Sequence, residues 1–262
     1  ANLLKQPGLD DVEMQSANRI LHANGVLYEY NDRGHVEACV GVDGATAFHY
    51  DSRDQLVRVE KKAGVWEAEY DALGRRVRRM WKGNTTEFYW YRDQLLAEID
   101  GHGKVRLYVY ADLLALTPIM MFDFASLDDD PSSGKCYYIF SDQIGTPCYV
   151  EDDDQRMVWE AAISPYGSAV VSRDAQIDFR LRFPGHYYDE ALGLHYNRFR
   201  YYDPILGRYL QSDPWGIAGG MNLYAYRDNP LGTVDVRGLG EGNDENCHHP
   251  GEDGPDAESS VP

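Results

Sequence analysis

The sequence predicts an all-β protein built from repeated antiparallel hairpins. Tyrosines recur about every 20 residues along the first part of the chain, and a period of this length is typical of repeat proteins. Residues that favour tight turns follow the first three of these tyrosines at a constant distance, whereas the last two keep the period without that signature. The 262 residues include 20 Tyr, 25 Gly and 12 Pro, and they show little sustained helical periodicity. The repeating tyrosines are Tyr30, Tyr50, Tyr70, Tyr91 and Tyr110.

Each of the first three repeats is interpreted as a strand, a tight turn and a second strand. A unit has an Asn or Asp directly after the Tyr, then a residue type that tolerates a positive φ, then an apolar residue. In chain order these positions are Asn31, Gly34 and Val36, then Asp51, Asp54 and Leu56, then Asp71, Gly74 and Val77. If the period marks successive hairpins, Tyr30, Tyr50 and Tyr70 should face the same side of one sheet. The alternative is an ordinary antiparallel sheet whose hairpins have similar lengths.

Composition excludes several classes of function. The formal charge of −18 argues against nucleic acid binding, which needs a basic surface. Residues 240–262 hold seven acidic residues and no Lys or Arg, and we expect this acidic tail to be disordered. No apolar run approaches the roughly 20 residues of a membrane helix, and no secretory signal opens the chain. The spacing of the four cysteines fits no metal or redox motif, so we expect no cofactor and no metal.

The last structured part of the chain carries a long series of motifs. They are Arg182-Phe183-Pro184-Gly185-His186-Tyr187-Tyr188-Asp189, Gly193-Leu194-His195-Tyr196-Asn197-Arg198-Phe199-Arg200-Tyr201-Tyr202-Asp203-Pro204, Gly207-Arg208-Tyr209, Ser212-Asp213-Pro214-Trp215-Gly216 and Asp235-Val236-Arg237-Gly238-Leu239. This series resembles the core-associated region that ends the shell of Rhs proteins and of the C component of Tc toxins. Tyr70-Asp71-Ala72-Leu73-Gly74-Arg75 resembles the YD repeat of the same families.

The resemblance implies a fold and a set of partners. Hairpins would wind into part of a hollow spiral β-shell, and the C-terminal region would turn inward as a plug. It implies a shell segment at 1–135, a core-associated region at 136–239 and the start of a variable extension at 240–262. The expected partners are a C-terminal toxin domain, further shell repeats, a secretion-apparatus spike, a chaperone and an immunity protein. The protein would be made in the bacterial cytoplasm and exported, and the chain would be part of a longer one.

The resemblance also implies one reaction, self-cleavage by a pair of aspartates. Mapped onto this sequence, the pair is Asp213 and Asp235, and the cut falls between Leu239 and Gly240. Peptide hydrolysis by two carboxylates needs one of them ionised to activate water and the other protonated to donate to the carbonyl oxygen. Arg208 lies five residues before Asp213 and is expected to orient or acidify one carboxylate.

Other interpretations stay open. Asp-Pro-x-Gly is also an ordinary turn sequence, so each aspartate can be a turn former. Val236 stands where the family usually has Pro, and only 23 residues follow Leu239 where a toxin domain would be longer. The alternative function is a non-catalytic YD-repeat scaffold, or a surface-adhesion or carbohydrate-binding module that uses the C-terminal tyrosines.

Overall fold

A computed structural model of the chain describes residues 8–226, 232–235 and 237–239. Within these ranges the regular structure consists of twenty β-strands and three 3₁₀ turns, and no α-helix occurs. The first sixteen strands form one antiparallel sheet in which each strand pairs with its neighbours in the chain. The last four form a second antiparallel sheet in the same sequential order. The all-β prediction is therefore confirmed.

The long sheet consists of β1 (Glu13–Met14), β2 (Ile20–Ala23), β3 (Val26–Tyr30), β4 (Val36–Gly41), β5 (Gly44–Tyr50), β6 (Leu56–Lys61), β7 (Gly64–Tyr70), β8 (Arg76–Trp81), β9 (Asn84–Tyr91), β10 (Gln94–Asp100), β11 (Val105–Val109), β12 (Met120–Phe124), β13 (Lys135–Ser141), β14 (Pro147–Asp152), β15 (Met157–Ile163) and β16 (Ala169–Val171). The second sheet consists of β17 (Tyr187–Asp189), β18 (Leu194–Asn197), β19 (Arg200–Asp203) and β20 (Arg208–Tyr209). We call residues 187–226, which contain this second sheet, the plug.

The turns of the repeats form as the sequence predicts. In the β5–β6 turn, Asp51 Oδ1 accepts hydrogen bonds from the backbone N–H groups of Arg53 and Gln55, each at 2.9 Å. Asp54 has a φ of 63°, and the equivalent glycines of the neighbouring turns have φ values of 81° and 80°. The side chain after each tyrosine thus closes the turn, which is why Asn or Asp stands there.

The repeating aromatic residues bind one hairpin to the next. Tyr50 donates a hydrogen bond to the carbonyl of Val36, and Tyr70 donates one to the carbonyl of Leu56, both at 2.7 Å. Tyr30, Tyr50 and Tyr70 all pack against the same core, as expected for residues on one face. Each bond spans 14 residues, and both its donor and its acceptor recur 20 residues later, so the period seen in the sequence is also the period of the contacts.

Two positions of the predicted repeat are wrong by one residue. Trp90, not Tyr91, faces the core and donates to the carbonyl of Arg76 at 2.7 Å, while Tyr91 is 43% exposed. In the first repeat Tyr30 pairs with Val36. The residue that pairs with Tyr70 in the same way is Arg76, not Val77. Strand faces alternate with period two, so a shift of one residue exchanges an inward for an outward side chain.

The core lies between the long sheet and the plug. Trp66 of β7 is 0% exposed, and its ring lies edge-on to Tyr201 of β19 with centroids 5.7 Å apart. Phe88 of β9 packs in the same way on Tyr187 of β17 at 5.2 Å. The C-terminal region therefore turns onto one face of the long sheet, as predicted for a plug.

The long sheet continues without interruption from β1 to β16. The expected boundary between the shell segment and the core-associated region, at residues 135 and 136, therefore falls inside this sheet, at the start of β13. The predicted acidic tail, residues 240–262, lies outside the described residues. Within the described ranges, none of the helical turns has the length and apolar character needed to cross a bilayer.

Candidate functional site

One arginine joins two buried aspartates at the C-terminal end of the described chain. Arg200 Nη2 lies 3.0 Å from Asp213 Oδ2 and 3.3 Å from Asp235 Oδ2. The three side chains are 0%, 2% and 1% exposed, respectively. Because both carboxylates contact the same nitrogen, their Oδ2 atoms are separated by no more than the sum of those two distances. The structure thus brings together the two aspartates that the sequence motifs single out.

Asp213 is held by a turn that its own side chain closes. Its carboxylate Oδ1 accepts a hydrogen bond from Trp215 N at 2.8 Å, and its carbonyl accepts one from Gly216 N at 2.9 Å. Its own N–H donates to Leu223 O at 2.9 Å. Asp213 is therefore a turn former, as the alternative interpretation expects, and its second carboxylate oxygen still faces Arg200.

Asp235 is fixed by donors from three parts of the chain. Tyr209 donates its hydroxyl to Asp235 Oδ2 at 3.0 Å, and Asn197 Nδ2 donates to the Asp235 carbonyl at 2.8 Å. The backbone N–H of Leu239 donates to Asp235 Oδ1 at 3.0 Å. This last bond places the residue before the expected cut directly beside one carboxylate of the pair.

The glycine of the last motif fits a space that admits no side chain. Gly238 has a φ of 68°, and a Cβ built there would lie 2.9 Å from Asn197 O and 3.4 Å from Arg200 Cβ. Only glycine accepts both the backbone conformation and the close approach without strain. The chain therefore returns against β18 and β19, which brings Leu239 back to Asp235.

The surroundings of Asp213 favour its protonated form. Burial raises the pKa of Asp213 above its ordinary value, although Arg200 opposes the shift, and the charge of Asp235 raises it further. Two carboxylates beside one guanidinium in a buried place leave one negative charge without a cationic partner if both are ionised, which is costly.

Arg208, the cation selected from the sequence, lies elsewhere. Its guanidinium donates to Asn18 O and stacks on the ring of Tyr224, with Cζ 4.7 Å from the ring centroid. Arg200 occupies the position between the aspartates, and its own Cζ lies 3.8 Å from the centroid of Tyr209. The motif of residues 193–204 contains Arg200, but nothing in its spacing marks this arginine rather than its neighbour Arg198.

The other expected residues of the site can be placed only in part. Leu239 is described, whereas Val236 and Gly240 lie outside the described residues. Elsewhere, Asp152, Asp153 and Asp154 could each offer an oxygen to a cation within 4.8 Å of the others, but two of them are exposed. Asp152 Oδ1 accepts from the N–H groups of Asp154 and Arg156, which explains the acidic run as a hairpin turn.

A comparison with protein families identifies the architecture. The family model described as Teneurin YD-shell matches residues 2–230 of this chain. The chain belongs to the YD-shell family. The resemblance to Rhs proteins and to Tc toxins is confirmed by the relatives and the solved structures that this YD-shell chain matches.

Relatives of this YD-shell chain include bacterial toxins. Double-stranded DNA deaminase toxin A of Burkholderia cenocepacia is 31% identical over 263 residues, which cover 88% of this chain and 18% of that protein. Probable deoxyribonuclease RhsA of Dickeya dadantii is 34% identical over 201 residues, which cover 73% of this chain and 14% of that protein. The YD-shell chain therefore spans less than a fifth of the length of these relatives.

Solved structures show the same YD-shell fold. The Tc holotoxin pore of Photorhabdus luminescens matches with a TM-score of 0.61 at 22% identity, over 80% of this chain and 10% of that one. A TcdB2-TccC3 structure matches with a TM-score of 0.61 at 21% identity, over 80% of this chain and 11% of that one.

Proposed function

We propose that this YD-shell chain encloses a C-terminal toxin and cuts itself after Leu239, using Asp213 and Asp235, in competition between bacteria or delivery of a toxin. The expected divisions 1–135, 136–239 and 240–262 are part of this proposal, with the toxin attached beyond the last one. The relatives support it, because this chain matches less than a fifth of the length of proteins described as a DNA deaminase toxin and a probable deoxyribonuclease. The further shell repeats, spike, chaperone and immunity protein, and export from the cytoplasm, belong to the same proposal.

One contact carries the catalytic part of the proposal. Leu239 donates its N–H to Asp235 Oδ1, and Asp235 Oδ2 shares Arg200 with Asp213. Leu239, the residue before the expected cut, therefore contacts Asp235 directly, and Asp235 is joined to Asp213 through Arg200. A general base must lie within about 3 Å of the proton it takes, directly or through one water.

The contacts suggest a role for each aspartate. Asp235 accepts from Arg200, Tyr209 and Leu239, and the last contact places it next to the expected cut, so we assign it the role of general base. Asp213, whose pKa is raised by burial, is the better proton carrier. In the proposed reaction Asp235 takes a proton from water as the water oxygen bonds to the Leu239 carbonyl carbon. Asp213 gives its proton to the carbonyl oxygen.

The tetrahedral intermediate then breaks its bond to the nitrogen of Gly240. The nitrogen takes the proton that Asp235 holds, and a hydroxyl proton of the intermediate returns to Asp213. The products are a chain that ends in the Leu239 carboxylic acid and one that begins with the Gly240 amine, and the acid then gives its proton to the amine or to water. The reaction consumes one water and leaves both aspartates as they began. It happens once for each chain.

Intact-mass measurement of the full-length protein tests the proposal. We expect a product that ends at Leu239, and we expect Asp213→Asn and Asp235→Asn to stay uncut without unfolding, since Asn keeps the shape but cannot titrate. Asp203→Asn is a matched control, because Asp203 is a second, partly buried Asp-Pro turn former with a raised pKa and lies outside the pair. Cleavage of both site variants at the parental rate would reject the pair. An uncut parent chain would instead support the non-catalytic scaffold.

The carbohydrate-binding alternative receives no support from the tyrosines that suggested it. Tyr187, Tyr196, Tyr201, Tyr202 and Tyr209 are each at most 2% exposed. A sugar ring needs an accessible aromatic face to stack on, and these rings instead pack on one another and on the long sheet.

A further inference from the structure

A single turn of the shell holds the segment that carries Asp213. The β3–β4 turn, residues 31–35, and the first residue of β4 make five hydrogen-bond contacts to residues 210–224 of the plug. These are Val36 N to Leu210 O at 3.0 Å, Ser212 N to His35 Nδ1 at 3.2 Å, Ser212 Oγ to His35 Nδ1 at 3.3 Å, Ser212 Oγ to Arg33 O at 2.8 Å and Tyr224 Oη to Gly34 O at 2.6 Å. Three of them involve Ser212, the residue directly before Asp213.

The β3–β4 turn is closed by bonds within itself. Asn31 Oδ1 accepts from the N–H groups of Arg33 and His35, each at 3.0 Å, so its closure does not depend on the plug. Gly34 has a φ of 81°, and a Cβ there would lie 3.0 Å from Tyr224 Oη. The plug therefore packs closely against a turn whose closing bonds are local.

His35 is the side chain of this turn that contacts the aspartate segment. It is buried, with Nδ1 accepting the N–H of Ser212 and Nε2 lying 3.0 Å from Asp54 Oδ1. The carboxylate stabilises a proton on Nε2, which leaves the lone pair on Nδ1 free to accept. The equivalent positions of the next two repeats are Gln55 and Arg75, so a titratable imidazole occurs only in the repeat that touches Ser212.

The contact depends on the neutral form of His35. Burial lowers its pKa below the ordinary value, Asp54 from the β5–β6 turn opposes the shift, and Arg33 from its own turn adds to it. The other ring packed against it is Tyr50, with centroids 5.1 Å apart. A second proton would occupy Nδ1 and face the N–H of Ser212, so protonation removes the acceptor of that N–H and leaves Nδ1 only the Ser212 hydroxyl, 3.3 Å away, as a partner.

We propose that neutral His35 is a positioning residue for self-cleavage, and that it makes the cut depend on docking of the plug onto the β3–β4 turn. His35 and Ser212 are 177 positions apart, so their bond forms only after this shell repeat and the plug have both folded. Cleavage would then follow closure of the shell around its contents. This inference rests on the proposed self-cleavage at Leu239.

Three variants of the full-length protein test it, refolded from uncut inclusion bodies at about pH 5 to 8 and followed by intact mass. His35→Leu removes the acceptor and should slow the cut about tenfold, the effect of losing one buried hydrogen bond. In His35→Asn the Asn Oδ1 replaces Nδ1 as the acceptor, so the cleavage rate should stay within about threefold of the parental rate. Because Asn does not titrate, this variant should also lose the part of the decrease in cleavage rate at low pH that protonation of His35 causes. His49→Leu, at a half-exposed histidine of β5, should behave as the parent.

Hydrogen exchange at the Ser212 amide separates the possible failures. If the parent is cut and His35→Leu is cut equally fast, the role of His35 is rejected while self-cleavage stands. The same holds if His35→Asn keeps the parental pH profile. If the parent is never cut, but His35→Leu speeds exchange at Ser212, the contact is only structural, and the inference fails together with the proposed function.

Discussion

Arg76 of β8 and Asp189 of β17 form an ion pair that joins the long sheet to the plug and is removed from water. Arg76 Nη1 lies 2.8 Å from Asp189 Oδ2, and both side chains are 0% exposed. Arg79 contacts the other carboxylate oxygen at 3.2 Å, and the ring of Phe88 lies 4.8 Å from the Arg76 Cζ. Removal of either partner would leave the other charge buried, which makes this contact a strong test of how the plug is held.

Arg76→Met should destabilise the protein strongly. Methionine fills a similar volume, but the buried Asp189 carboxylate then has Arg79 as its remaining ion-pair partner. We expect the free energy of unfolding to fall by about 3 kcal/mol, the lower part of the range for breaking a buried pair. A urea titration monitored by tryptophan fluorescence measures this, because Trp66 donates to Asp189 and reports on the same contact.

Arg78→Met is the matched control, since Arg78 lies on the same strand and also forms ion pairs. Its side chain is 42% exposed, and its partners Glu69 and Glu87 are 50% and 40% exposed. Exposed pairs contribute about 0–1 kcal/mol, so this variant should be nearly neutral. Equal losses in the two variants would show that the Arg76 pair does not hold the plug.

The sequence predicted the hairpins well because the turn chemistry is local. The five-residue turns after Tyr30, Tyr50 and Tyr70 need only an Asn or Asp and a residue that accepts a positive φ. The equivalent hairpin of the next repeat, β9–β10, has a two-residue turn instead, with Tyr91 paired to Gln94 and Trp90 to Leu95. Adjacent aromatic residues at 89–91 all fit a period of about 20, so the spacing could not decide which of them faces the core.

The site was harder to predict because its parts come from distant segments. The motifs at residues 212–216 and 235–239 identified Asp213 and Asp235 directly, because each motif contains its aspartate. They did not distinguish Arg200 from Arg198 or Arg208, which stand close by in the sequence and are also arginines. Arg198 pairs with Asp93 and Arg208 contacts Asn18, and only the folded chain shows these choices.

Trp90→Phe should destabilise the sheet, whereas Tyr91→Phe should not. Phenylalanine cannot donate to the carbonyl of Arg76, which Trp90 Nε1 reaches at 2.7 Å. We expect a loss of about 1–2 kcal/mol for Trp90→Phe from the missing hydrogen bond and lost contacts, and a change within about 0.5 kcal/mol for Tyr91→Phe. Urea titration of both variants checks this, and a larger loss at Tyr91 would contradict the assigned faces.

Gly219→Ala should slow the proposed self-cleavage while leaving the fold intact. A Cβ at this position would lie 2.6 Å from Asp213 Oδ2, so the carboxylate that faces Arg200 must move. A displacement of about 1 Å can cost a hundredfold in rate, and we expect a loss of this order. Intact mass after timed refolding measures it. Ala218→Ser, at the exposed neighbour, should cut normally, and equal rates in both variants would place Asp213 outside the reaction.

Acid should weaken the protein through a buried pair of histidines in the plug. His186 and His195 lie with their Nδ1 atoms 3.4 Å apart, and they are 0% and 1% exposed. The rings of Phe183 and Tyr202 lie against His186 with centroids 5.6 Å away. Burial lowers the pKa of His186 to about 3. Burial, together with the nearby His186 and Arg182, lowers the pKa of His195 well below its ordinary value.

The direction of the pH effect follows from which state binds the proton. In the unfolded chain a histidine has a pKa of about 6.5, whereas folded His186 stays neutral down to about pH 3. Between these values the unfolded state binds more protons, so stability is complete above about pH 6.5 and falls as the pH is lowered toward 3. For one such histidine the loss between pH 7 and pH 5 is about 2 kcal/mol.

His186→Phe isolates this contribution, because phenylalanine keeps the aromatic contacts and cannot titrate. Carboxylates and other groups titrate alike in parent and variant, so the difference between their stabilities at pH 7 and pH 5 reports on the histidine. We expect the variant to lose about 2 kcal/mol less than the parent over that interval. His49→Phe, at a half-exposed histidine, should keep the parental dependence. If His186→Phe also keeps the parental pH dependence, the prediction is wrong, because the buried pair then binds protons without destabilising the folded plug.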